Sequence, residues 1–180
     1  WVMSKMRLEI RSLPKWKDKI TVKTWIKTLE NSRSTRCLEL YRGEEKLAGC
    51  ETFWAVINTN ARRPENLALG HKHFEKFPAQ SGTSHEVQKI NINLDFDVLK
   101  NYKVQLSDID IVNHANSVKY LEWCLNALDS KYILRQKIKG FEMNFLRELS
   151  LNDEVTIAQK DQSIIISKAD KVCFALELNE

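Results

Sequence analysis

One helical segment limits the folds open to this chain. Between residues 115 and 129, apolar side chains cover more than the single stripe a surface helix needs. Val118, Leu121, Leu125 and Leu128 recur at helical spacing, and Lys119, Glu122, Asn126 and Asp129 form a polar stripe. Tyr120, Trp123, Cys124 and Ala127 widen the apolar side. A helix so apolar has to be covered on most sides, and the flanking sequence offers strands to do it. Residues 2–10 and 20–26 alternate in polarity as half-buried strands do. In the second run Ile20, Val22, Thr24 and Ile26 face one way, and Lys19, Thr21, Lys23, Trp25 and Lys27 face the other. Further strands are expected at 35–42 and 46–58, with Arg42-Gly43 in the turn between them, near 99–106, and from the helix to the end.

One long helix among strands argues α+β with antiparallel sheet. The second half also echoes the first. Asp18-Lys-Ile-Thr-Val22 matches Asp153-Glu-Val-Thr-Ile157 at an offset of 135 residues. At that offset Met6, Leu8 and Ile10 fall on Phe141, Met143 and Phe145, and Lys46-Leu-Ala-Gly-Cys50 resembles Asp170-Lys-Val-Cys173 with a gap. An antiparallel sheet wrapped around a central helix, given twice, is a tandem (double) hotdog. The expected division is an N-terminal unit at 1–61, a linker at 62–87 holding Pro64, Gly70, Pro78 and Gly82, and a C-terminal unit at 88–180 with the loop and helix. At the same offset the first unit's helix would precede Trp1, so it is expected to be missing from this chain, which reads as the remainder of a longer protein.

The 180 residues suffice for one large domain or two small ones. A net charge of +4 is too mild to argue for nucleic acid. Cys37, Cys50, Cys124 and Cys173 form no Cys-x-x-Cys pair and no metal-ligand spacing, which points to reduced thiols, a cytoplasmic location and no metal. No apolar run approaches the roughly 20 residues of a membrane span, and there is no secretory signal. Five glycines without a Gly-x-Gly give no phosphate cradle, so no cofactor is expected.

Directly ahead of the helix, Asp108-Ile-Asp-Ile-Val-Asn-His-Ala-Asn116 gathers two carboxylates, a histidine and two amides. Two readings fit. One is the active loop of a hydrolase, with the positive helix start beside it to stabilise an oxyanion. The other is an Asx-rich turn that caps a helix.

Four segments in order resemble the acyl-acyl-carrier-protein thioesterases, in bacterial and plastid forms. Residues 1–10 are similar to the strand after that family's first helix, and Phe53-Trp-Ala-Val-Ile-Asn-Thr-Asn-Ala-Arg-Arg-Pro64 to the segment closing its first unit. Residues 107–123 resemble its catalytic loop and second helix, and Phe141-Glu-Met-Asn-Phe-Leu-Arg-Glu148 its following strand. The resemblance implies a double hotdog that hydrolyses the thioester between a fatty acyl chain and the phosphopantetheine arm of acyl carrier protein. The partner would be that carrier, with room for a homodimer. The family's loop reads Asp-x-Asn-x-His-x-Asn-Asn. Asp110, His114 and Asn116 match it, Val112 replaces the usual catalytic asparagine, and Ser117 replaces the last one. Asn113 is the nearest amide to the vacated position, and Glu148 stands at the family's catalytic glutamate.

On that basis Glu148 polarises a water and His114 accepts or relays its proton, since an imidazole titrates near working pH. Asp110 orients His114, and Asn113 or Asn116 holds the carbonyl. Backbone N–H groups from Ala115 through Ser117 to Val118 meet the thioester oxygen. Asn116 reads equally as a helix cap, Asp108 as a turn residue, and Cys124 as packing. Lys15, Lys17, Lys19, Lys23 and Lys27 present a basic face that either steers an acidic carrier or simply stays solvated. Three competing functions remain open: a thioesterase preferring coenzyme A esters, a non-catalytic hotdog module that binds acyl thioesters, and a hotdog dehydratase.

Overall fold

The computed structural model describes residues 1–61, 63–68, 70–131 and 138–179. Positions 62 and 69 of the expected linker, and 132–137 and 180 of the expected C-terminal unit, lie outside them. Contacts divide the chain into two compact units, Trp1–Gln88 and Lys89–Glu180.

In the first unit the alternating runs form β1 (Val2–Ile10), β2 (Thr21–Glu30), β3 (Arg33–Arg42) and β4 (Glu45–Ala55). They pair antiparallel in the order β2-β3-β4-β1. Two-residue turns join β2 to β3 and β3 to β4, and Asn31 and Gly43 take the positive φ such turns demand, 39° and 61°. A short ribbon follows, β5 (Ile57–Asn58) with β6 (Arg63–Pro64). Among its described residues this unit has no helix.

The second unit holds β7 (Asp97–Lys103), α1 (Ser117–Ala127), β8 (Gly140–Phe145), β9 (Glu154–Lys160), β10 (Ser163–Lys168) and β11 (Lys171–Asn179). Its antiparallel sheet runs β8-β11-β10-β9-β7, and α1 packs across β9, β10 and β11. This is the hotdog arrangement. The order β9-β10-β11-β8 repeats β2-β3-β4-β1. The offset of 135 is conserved even in the turns. Asp18 accepts the Lys15 N–H at 2.8 Å, and Asp153 accepts the Ser150 N–H at 2.9 Å. Within those turns Lys17 and Asn152 share a left-handed backbone, with φ 71° and 68°. Among the described residues no helix is long and apolar enough to cross a membrane.

Two sequence expectations change. The helix begins at Ser117, not 115, and its core face is Tyr120, Trp123 and Cys124. Val118, expected on the inner stripe, is exposed, and Leu121, Leu125 and Leu128 are half-buried. The rotation follows aromatic packing: Tyr120 meets Phe145, Phe174 and Trp123, and Trp123 meets Tyr102.

Lys27 does not belong to a solvated lysine face. A bulge between Ile26 and Thr28 breaks the alternation, and Lys27 is only 7% exposed. Its ammonium reaches Glu51 at 3.2 Å, Ser81 at 2.9 Å and Glu86 at 3.3 Å. Burial alone would lower its pKa, yet Glu51 and Glu86 together raise it. Residues 77–86 thereby lie against the first sheet. The Phe77 N–H donates to Ile26 O, the Trp25 indole to Gln80 O, and Lys46 to Gly82 O.

Candidate active site

The loop ahead of α1 is built from backbone hydrogen bonds that its acids accept. Asp108 closes a 3₁₀ turn, Leu106–Asp108, and is buried. Its carboxylate accepts the Tyr102 hydroxyl at 2.7 Å and the Gln105 N–H at 2.8 Å, with Lys119 4.0 Å away. Burial first, then the bond to Asp108, pushes the Tyr102 phenol up to about 12. The Asp108 carbonyl accepts the Asn116 N–H at 2.8 Å and ties the turn to the helix start. Asp108 is therefore an organising residue of the loop, where its place in an Asx-rich segment had suggested an ordinary turn residue.

Asp110 acts on the backbone of His114. Its carboxylate accepts the Val112 N–H at 2.9 Å and the His114 N–H at 3.2 Å, while its own N–H donates to His114 O. This Asx-type turn carries Asn113 at φ 64°, a left-handed conformation that Asn tolerates better than most residues. Val112 and Asn113 are both exposed at the tip, Val112 at 61%.

His114 and Glu148, 34 residues apart in sequence, come together: His114 Nε2 lies 3.4 Å from Glu148 Oε2. Both side chains are about one third exposed, at 34% and 32%. Glu148 lies three residues past the end of β8, not on a strand as expected, so strand alternation has no bearing on where it points. Leu149, fully buried, anchors this stretch. Its carbonyl accepts the Ala115 N–H at 2.8 Å, and its N–H donates to the Tyr120 hydroxyl at 3.0 Å.

Asn116 caps α1, its side chain accepting the Val118 N–H at 3.0 Å. Of the amides from 115 to 118, Ala115 serves Leu149, Asn116 serves Asp108 and Val118 serves the cap. Ser117 N–H is the one without an acceptor among the described residues, at the positive end of α1. The segment is a capping turn, and it brings an imidazole and a carboxylate together. Burial pushes the Cys124 and Cys173 thiols up, so neither is poised as a nucleophile. At the repeat offset Glu148 falls on Leu13, which has no acid–base capacity.

Known proteins resemble this chain in sequence and fold. The family model described as "Acyl-ACP thioesterase N-terminal domain" matches residues 1–69, and "Acyl-ACP thioesterase C-terminal domain" matches 93–178. A chloroplastic acyl-[acyl-carrier-protein] hydrolase of Cuphea viscosissima is 24% identical over 156 residues, covering 82% of this chain and 38% of its own. A chloroplastic dodecanoyl-[acyl-carrier-protein] hydrolase of Cinnamomum camphora is 23% identical over 181 residues, 96% of this chain and 47% of its own. The chain thus spans less than half the length of both curated relatives. The crystal structure of an acyl-ACP thioesterase from Bacteroides thetaiotaomicron superposes with a TM-score of 0.87 at 21% identity, covering 99% of this chain and 75% of the other.

Proposed function

Because the chain belongs to the acyl-ACP thioesterase family, we propose that it hydrolyses the thioester of fatty acyl-acyl carrier protein, releasing free fatty acid and the carrier's thiol. The observation that carries this reading is the 3.4 Å approach of His114 Nε2 to Glu148 Oε2 beside the start of α1. Glu148 and His114 together hold the attacking water and take its proton. The water oxygen bonds to the thioester carbon, and the former carbonyl oxygen becomes an oxyanion that the Ser117 N–H meets. The C–S bond then breaks, and the proton held by His114 passes to the departing thiolate. Such paired acid–base help is worth about 10²–10⁴-fold in rate, and hydrogen-bond geometry commonly tightens once substrate is bound.

The remaining roles follow from the loop. Asp110 places His114 through its backbone N–H rather than through its imidazole. Asn116 caps the helix that presents the oxyanion donor. Asn113 sits in the left-handed turn next to Val112 and is the nearest amide for the substrate carbonyl. The four free cysteines, all buried, suit a reducing compartment, and we assign the protein to the cytoplasm. The exposed lysines 15, 17, 19 and 23 suit docking of an acidic carrier.

Val112 favours one other reading, a module that binds acyl thioesters without cleaving them. A thiol-release assay with acyl carrier protein and coenzyme A esters of matched chain length separates the two. Turnover of the carrier ester, with the coenzyme A ester slower, supports the hydrolase. Saturable binding of acyl thioester with no thiol released contradicts it.

A further inference from the structure

Glu148 lies past the end of β8, and its carboxylate reaches His114. The hold comes from either side. Upstream, the Leu146 and Arg147 N–H groups both donate to Cys173 O, at 2.8 and 3.0 Å. Downstream, the Leu149 N–H donates to the Tyr120 hydroxyl at 3.0 Å, and the Leu149 carbonyl accepts from Ala115. A peptide unit is planar, so the Leu149 N–H and the Glu148 carbonyl turn together. Fixing that N–H fixes ψ of Glu148.

We propose that Tyr120 is a positioning residue for the Glu148–His114 pair: its phenol oxygen clamps the 148–149 peptide to the same helix start that carries His114. This role rests on the reading of Glu148 given above. Tyr120 is suited to it because its ring is packed against three aromatic neighbours. It is buried, with ring centroids 5.4 Å from Trp123 and Phe174 and 5.9 Å from Phe145. Phenylalanine would keep every one of those contacts. Only the hydroxyl distinguishes the two residues here, and only the hydroxyl can accept the buried Leu149 N–H. Burial holds the phenol neutral by pushing its pKa up. Tyr120 therefore acts through geometry and not by proton transfer.

The test is Tyr120→Phe, alone and with Glu148→Gln, in thiol release from an acyl carrier thioester. Displacing a reacting group by about 1 Å can cost about 10²-fold, so kcat should fall about tenfold or more with KM changed less than about twofold. In the Glu148→Gln background the same substitution should remove little further rate, since the group it positions is already gone. Val155→Ala, a core truncation on β9, serves as the control for lost stability and should not reproduce the kcat loss. Amide exchange at Leu149 should quicken in Tyr120→Phe, which reports the clamp apart from turnover. Wild-type kcat in Tyr120→Phe beside a crippled Glu148→Gln would overturn the role, as would an equal loss in both backgrounds or unchanged exchange at Leu149. Full activity in Glu148→Gln itself would instead remove the underlying reading.

Discussion

Asp108 and Asp110 stand two positions apart and hold different parts of the loop. Asp108 is buried and accepts from Tyr102 and Gln105, whereas Asp110 accepts the exposed-tip amide of Val112 and the His114 N–H. Asp108→Ala leaves the Gln105 N–H and the Tyr102 hydroxyl without their acceptor. It should cost about 1–3 kcal/mol, read from urea unfolding midpoints. An unchanged midpoint would show that the turn holds without it. The approach of His114 to Glu148 was foreseeable only from the family resemblance of two segments, since Glu148 by itself reads as an exposed carboxylate. Asp108's burial was not foreseeable, because it depends on a 3₁₀ turn that folds its carboxylate back onto Tyr102, six residues earlier. The Tyr120–Leu149 clamp was equally hidden: a helical tyrosine in an apolar stripe reads as packing, and its hydroxyl has no signature until its partner is known.

The strands were readable from alternation, and β2 shows where that signal fails. Its register is regular to Ile26, and the bulge then turns Lys27 from the expected outer face onto Glu51. A bulge leaves no mark in a period-2 pattern, so the lysine stripe looked continuous. The pair is nearly solvent-free, with side chains 8% and 1% exposed. Lys27→Met alone leaves the buried Glu51 carboxylate without its cation and should destabilise by roughly 3–5 kcal/mol, while Lys27→Met with Glu51→Leu should recover much of that loss. Thermal unfolding of the single and double variants reads both, and a double variant no better than the single would contradict a pairwise origin. On β4, a methyl added at Gly49 would collide with the Gly82 carbonyl oxygen, so Gly49→Ala should push residues 77–86 off the sheet. The faces of α1 were misjudged for a related reason. Spacing put Val118, Leu121, Leu125 and Leu128 at the centre of the apolar side and Tyr120, Trp123 and Cys124 at its margin, and the aromatic partners on β8 and β11 turned that margin inward.

Across the whole chain, the offset of 135 residues was the most reliable guide, because it recurs as strand order and as matching turns in both units. It also exposes an asymmetry: the second unit carries Glu148 where the first has Leu13. Acid sensitivity is a property of the whole molecule. Burial alone would raise the carboxyls of Glu9, Glu39 and Asp153, but hydrogen bonds and cations hold them below their ordinary values of 4.5, 4.5 and 3.8. Groups lowered by folding contribute stability above their unfolded pKa and lose it as pH falls through the folded one. Urea midpoints should therefore be flat from about pH 7 to pH 5 and drop steeply toward pH 3. A midpoint at pH 3 equal to that at pH 7 would contradict these assignments. The most direct measurement of the central claim is a double-mutant cycle on thiol release with His114→Ala and Glu148→Ala. Each single variant should lose about 10²-fold or more in kcat, and the double variant should be scarcely worse than either, as expected of groups acting as a unit. Full activity in either single variant, or losses that simply multiply, would mean that this pair does not activate the water.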